Sequence, residues 1–270
     1  MSLVFAAIAP HGTLPEAPVD NAEATHAALA TLGDRFDAAR PDATIVMTPH
    51  NVHVEGHFVV VLAGTLAGSL AEFDAPDVQL SCPVDFDLAV GTVVALHDEG
   101  LPVVGASFGA TDARAATAPM DWGVLIPIWA MGGRSEPPVP AVAVSPARDR
   151  PPAEHVRAGR AIARAADQSG KRVALIASAD HGHAHDPAGP YGFDPAAAEY
   201  DALIVELVRQ NRLDDLLELD PAFVDAATAD SWWQLLMLHG ALGGAAWEVE
   251  FLTYEASTYF GMLCAVYAPN

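Results

Sequence analysis

The sequence predicts an α/β fold: a single domain, residues 1–270, with a central mixed β-sheet flanked by helices. Three observations point there. Short apolar runs rich in Val, Ile and Ala alternate with helical stretches along the whole chain. The apolar fraction, 51%, is enough for a sizeable buried core. Helix-stop residues also stand where the alternation needs them, with Gly100 and Gly170 just past two helical stretches.

In chain order the expected strands are 3–9, 44–48, 58–63, 102–106, 141–144, 172–177, 247–253 and 262–267. The expected helices are 21–39, 85–98, 153–168, 195–211 and 231–242, with Asp85 and Pro152 at two of their starts. The Pro-rich stretch "GGRSEPPVP", 132–140, reads as an exposed loop. There is no internal repeat and no low-complexity linker.

Charge narrows the partners. The formal net charge is −22 and Lys171 is the only lysine, so a basic stripe for nucleic acid is missing. An anionic substrate would need local positive charge, such as a metal ion, to enter this field. No run approaches the roughly 18 apolar residues of a membrane span. "MSLVFAAIAPHG" lacks a basic leader and reads as a first strand. Cys82 and Cys264 show no metal or disulfide spacing, and a cytoplasmic location is the default expectation.

The histidines carry the chemistry. His11 follows the first strand in "AIAPHG", His50 follows another in "TIVMTPHN", and His181 and His183 follow a third in "VALIASADHGH", with His185 just beyond. Ligands in open α/β sheets gather where strands end. Pro10 and Pro49 stiffen the corners before the first two histidines. Two histidines and one carboxylate can form a facial triad that leaves metal positions open. Each histidine taken alone also reads as a hydrogen-bonded loop residue. Spacing leaves both readings standing.

The chain resembles the class III extradiol ring-cleavage dioxygenases, the family that includes the catalytic subunit of protocatechuate 4,5-dioxygenase. The resemblance rests on "PHG" (10–12), "TPHNVH" (48–53), "SADHGH" (178–183), "GPYGFDP" (189–195), "GAL" (240–242) and "YEASTYFG" (254–261), in the family's order. It implies an Fe(II)-dependent enzyme, with Zn or Mn as alternative metals, held by His11 and His50. His183 is the implied acid–base. The family's third ligand is a glutamate opening the helix before "GAL". Here Asp230 stands close to that position, as ligand or as helix N-cap, with Glu255 in reserve and Glu248 and Glu250 behind it.

Trp122 in "PMDWGVLIP" stands where several members carry a histidine, and it can stack on an aromatic ring or donate from its indole N–H. Trp122, His181, Tyr191 and His53 are the candidate contacts to substrate. His181 and His185 are otherwise supporting loop residues, and His53 and His57 are candidate orienters of His50. His26, His97 and His155 are expected on helix surfaces, and His239 in helix packing.

The implied reaction opens a catechol-type or aminophenol-type ring with O2. Small aromatic substrate and O2 are the expected partners, with a homo-oligomer and a small partner subunit as further expectations. A zinc hydrolase of the same fold, or a metal- or peptide-binding signalling protein, fits the same residues.

Overall fold

The computed structural model describes residues 2–243 and 246–270. Eight strands form the main sheet: β1 (Leu3–Ala9), β2 (Ala43–Met47), β3 (Phe58–Val61), β6 (Val103–Ala106), β8 (Ala141–Ser145), β9 (Val173–Ser178), β10 (Trp247–Glu255) and β11 (Met262–Pro269). Their spatial order is β10-β11-β1-β9-β2-β8-β3-β6. The four central strands β1, β9, β2 and β8 run parallel, while β11 and β3 flank them antiparallel. Every residue of β2, β8 and β9 is buried. That explains their near-continuous apolar sequences, since a parallel strand covered on both faces has no solvent side to keep polar.

The cover comes from α1 (Glu23–Ala39), α2 (Phe86–Asp98), α3 (Trp122–Ala130), α4 (Pro152–Ser169), α5 (Pro195–Arg209), α6 (Pro221–Ala226) and α7 (Trp232–Leu242). Helices α2, α4 and α7 pack together, and α1 packs on β1, β10, β11 and α3. The α4–α7 crossing is unusually close because glycines meet there. A Cβ on Gly159 would lie 1.8 Å from the Met237 carbonyl oxygen, and one on Gly240 would lie 2.0 Å from that of Val156. This contact seats α7, and with it the residue that precedes it, against the end of the sheet.

A second sheet of β4 (Thr65–Leu70), β5 (Ala75–Pro83) and β7 (Thr117–Pro119) was not expected from the sequence. It packs against α3. Helix α3 was not anticipated either: its interior is apolar all round and contains Pro127, so no amphipathic period marks it. In the 132–140 stretch, Gly132 and Gly133 are buried, so only part of it is surface.

Register sets where the strands end. Ala9 pairs with Ser178, Met47 with Ala177, and Met47 also with Val144. The carboxyl ends of four parallel strands therefore finish at one level.

Candidate active site

His11 leaves that edge after β1 and is 2% exposed. Its Nδ1 lies 2.9 Å from Ser178 Oγ, and Ser178 Oγ donates its own proton to the Gly123 carbonyl at 2.5 Å. In an α-helix that carbonyl would accept from the N–H of residue 127, which in α3 is proline and has none. With its proton committed, the Ser178 hydroxyl accepts from His11 Nδ1–H. Nε2 of His11 is thereby left as the lone pair, the tautomer that a metal requires. The His11 backbone N–H donates to Asp180 Oδ1 at 3.0 Å, so Asp180 clamps the corner. Burial lowers the His11 pKa, but the carboxylates of Asp180 and Asp230 outweigh it and leave the pKa raised. The same negative potential favours any cation at Nε2.

His50 follows β2 on a corner closed by Asn51, which adopts a left-handed φ of 67°. The Asn51 N–H donates to Asp121 Oδ2 at 2.7 Å, and Ser145 Oγ donates to the His50 carbonyl at 2.8 Å. Asp121 also caps α3 through Val124 N–H. Burial is the main cause of its raised pKa, partly offset by His50 and by the Asn51 N–H. The Trp122 ring lies 4.7 Å from that of His50.

Asp230 precedes α7 but does not cap it: Ser231 is the N-cap residue and makes no side-chain cap bond. The Asp230 N–H donates to the His181 carbonyl at 3.2 Å, which turns the carboxylate inward. Oδ2 lies 3.1 Å from His50 Nε2 and 3.6 Å from His11 Nε2, while Oδ1 accepts from Arg148. Burial acts to raise the Asp230 pKa, but the neighbouring His11 and His50 imidazoles and the charge of Arg148 hold it well below the usual carboxylate range.

The donor atoms of His11, His50 and Asp230 all lie within 4.8 Å of one another. Ligand atoms about 2.1 Å from a shared ion and about 90–110° apart stand roughly 3–3.5 Å from each other. Two neutral imidazole nitrogens and a carboxylate oxygen at these spacings fit a divalent transition metal.

His183 completes the edge. Its Nδ1 donates to the His181 carbonyl at 2.7 Å, so its Nε2 is free to accept a proton. Phe260 stacks on the ring at 5.5 Å, with Tyr191 at 5.8 Å and Tyr259 at 6.0 Å. Two adjoining cavities, of about 700 Å3 and about 870 Å3, share His50, Trp122, His183 and Tyr191 as lining. The first also reaches Asp230 and Arg148, the second His11 and Asp180.

A family model described as the catalytic LigB subunit of aromatic ring-opening dioxygenase matches residues 6–267. The chain belongs to this LigB family. Protein CA_C1420 of Clostridium acetobutylicum is 22% identical over 218 residues, which is 80% of this chain and 46% of that protein. The chain thus spans about half the length of this curated relative. The crystal structure of the uncharacterized protein JW3007 from Escherichia coli K12 shares the fold, with a TM-score of 0.63, 20% identity and coverage of 97% of this chain and 99% of that one. Among the described residues no helix is long and apolar enough to cross a membrane.

In this LigB chain the structure brings His11, His50, Asp230, His183, Trp122, Tyr191 and His53 to the two cavities. It corrects other expectations. Glu255 does not reach the His11–His50–Asp230 cluster: its Oε2 accepts from the Thr25 N–H at 2.7 Å and the Thr25 hydroxyl at 2.6 Å, capping α1 from the end of β10. Glu250 pairs with Arg35, and Glu248 is exposed. His181 lines neither cavity. It is fully buried behind the cavity, with Nδ1 2.9 Å from Ser231 Oγ.

His185 is a supporting loop residue, bonded to Asp201 at 2.8 Å. The Asp201 carboxylate also accepts from Gly182 N–H and Tyr254 OH, which pins the loop on both sides of His183. His57 bonds the Glu55 carbonyl and does not touch His50. His97 is exposed and His26 half-buried, but His155 is fully buried, edge-on to Phe58 at 5.2 Å. His239 is half-buried near Asp214 and Arg160, away from both cavities.

Asp180, Ser178 and Arg148 were missed. Each sits at the end of, or just past, one of the four parallel strands, the same position that singles out the histidines. A strand end marks a carboxylate, a hydroxyl or a guanidinium as well as it marks an imidazole.

Proposed function

We propose that the chain is a non-haem Fe(II)-dependent extradiol dioxygenase that opens the ring of a catechol-type or aminophenol-type aromatic. One observation carries this reading: two imidazole Nε2 atoms and one carboxylate oxygen converge at a strand edge, beside a cavity that a free imidazole nitrogen also faces. Fe(II) held by His11, His50 and Asp230 would supply positions for the two substrate oxygens and for O2, and the redox chemistry that joins them.

The side chains do the rest. Arg148 holds Asp230 Oδ1, which fixes the direction in which Oδ2 points. His183 accepts a hydroxyl proton from the diol at Nε2 and returns it as the ring opens. Its Nδ1 bond to the His181 carbonyl keeps that nitrogen aimed at the cavity. Trp122 and Phe260 offer ring faces on which a planar substrate can stack, and they keep water from the reacting edge. Both atoms of O2 end in the product.

The test is anaerobic loading with Fe(II), then addition of O2 with a panel of catechols and aminophenols. A coloured ring-opened product is expected. Tight zinc binding with no O2 uptake on any diol would overturn the reading.

A further inference from the structure

We infer that the larger cavity selects a catechol bearing an apolar second ring and turns away catechols that carry a carboxylate. This deepens the ring-opening reading and rests on it for the position of the diol.

The cavity of about 870 Å3 runs from His11 and His50 outward to Phe73. Sites of about 300–1,000 Å3 hold drug-sized ligands, and a bare catechol would fill a small part of this one. Its walls are aromatic in two groups. On one side Trp122 stands 5.6 Å from Phe73, which the small sheet's β4–β5 turn carries over the mouth. On the other, Tyr259 and Phe260 pack edge to face at 4.9 Å beside His183. Phe73 is 51% exposed, a large ring held at the rim with no packing partner on its outer side. A second aromatic ring entering with its diol at the metal cluster would lie between these groups.

Charge decides against an anionic substituent. Among the described residues, no lysine or arginine lines this cavity, while Glu16, Glu72, Asp74 and Asp180 do. Among the described residues lining the two cavities, Arg148 is the sole lysine or arginine. It faces the smaller cavity, already bonded to Asp230 and to the Pro49 carbonyl. A carboxylate in the larger cavity would meet Glu72, Asp74 and Asp180 and no lysine or arginine, in a chain whose net charge is −22.

The experiment uses the full chain with 4-phenylcatechol, catechol and protocatechuate. Tryptophan fluorescence follows binding to metal-free protein, and kcat/KM is measured after Fe(II) loading. Phenylcatechol is expected to exceed protocatechuate by about 100-fold in kcat/KM and to bind more tightly without metal. Phe73→Ala should cut the phenylcatechol-to-catechol ratio by about 10-fold, mainly through KM. Protocatechuate performing as well as phenylcatechol, or a ratio unmoved by Phe73→Ala, overturns the inference while leaving ring opening intact. If no diol is cleaved but phenylcatechol still binds best and Phe73→Ala weakens it, the selectivity stands and the ring-opening reading falls.

Discussion

The hydroxyl of Ser178 lies 2.9 Å from Nδ1 of His11 and can only accept there, because its proton is held by the Gly123 carbonyl. The bare ring nitrogen of His11, Nε2, is therefore set by a residue outside the His11–His50–Asp230 cluster. Ser178→Ala should weaken metal binding by about 10–100-fold, the usual cost of removing such an orienting partner. A chelator competition titration measures it. The Gly123 carbonyl, buried and bereft of its donor, should also lower stability by about 1–3 kcal/mol in urea unfolding.

His183 is expected to act on protons and not on the metal. His183→Ala should keep its metal content, read by elemental analysis, and lose about 10²–10⁴-fold in kcat. Loss of metal in this variant, or unchanged turnover, would contradict the division of labour.

Asp230 and Glu255 separate cleanly. Asp230→Ala should abolish stoichiometric metal binding and leave Arg148 without its carboxylate partner. Glu255→Ala should retain full metal stoichiometry and cost about 1 kcal/mol, because it removes only the cap on the first turn of α1. Metal loss in Glu255→Ala would show that this carboxylate does more than cap.

His155 supplies a pH signature far from the chemistry. Burial depresses its pKa to about 4, only partly offset by hydrogen bonds to the Pro151 and Ala147 carbonyls. The unfolded chain, near 6.5, binds that proton first. This contribution to stability is therefore whole above pH 7, declines as pH falls through 6.5, and is gone near pH 4. Between pH 7.5 and pH 5 the loss is about 2 kcal/mol. Urea midpoints at the two pH values should converge by that amount in His155→Leu relative to the unaltered chain.

The sheet was legible because its strands are short, apolar and punctuated. All eight main strands were anticipated to within two residues at each end. The small sheet was not: β7 has three residues, and β4 and β5 mix glycine, polar and apolar residues without clean alternation. His11 and His50 were legible from strand-end position, and Asp230 only through family likeness. Glu255 misled because nearness in a motif says nothing about which way a strand turns its side chain. His155 misled because a histidine on an amphipathic helix looks like a surface residue until the facing aromatic, Phe58, is known.

The strand order carries a consequence for biosynthesis. His11 and His50 emerge early, on β1 and β2, yet those strands are never neighbours: β9 lies between them. Until β9 is made and slotted in, the two imidazoles have no fixed separation, and Asp230 arrives later still. A metal held by these three side chains would therefore be taken up only in the last stage of folding.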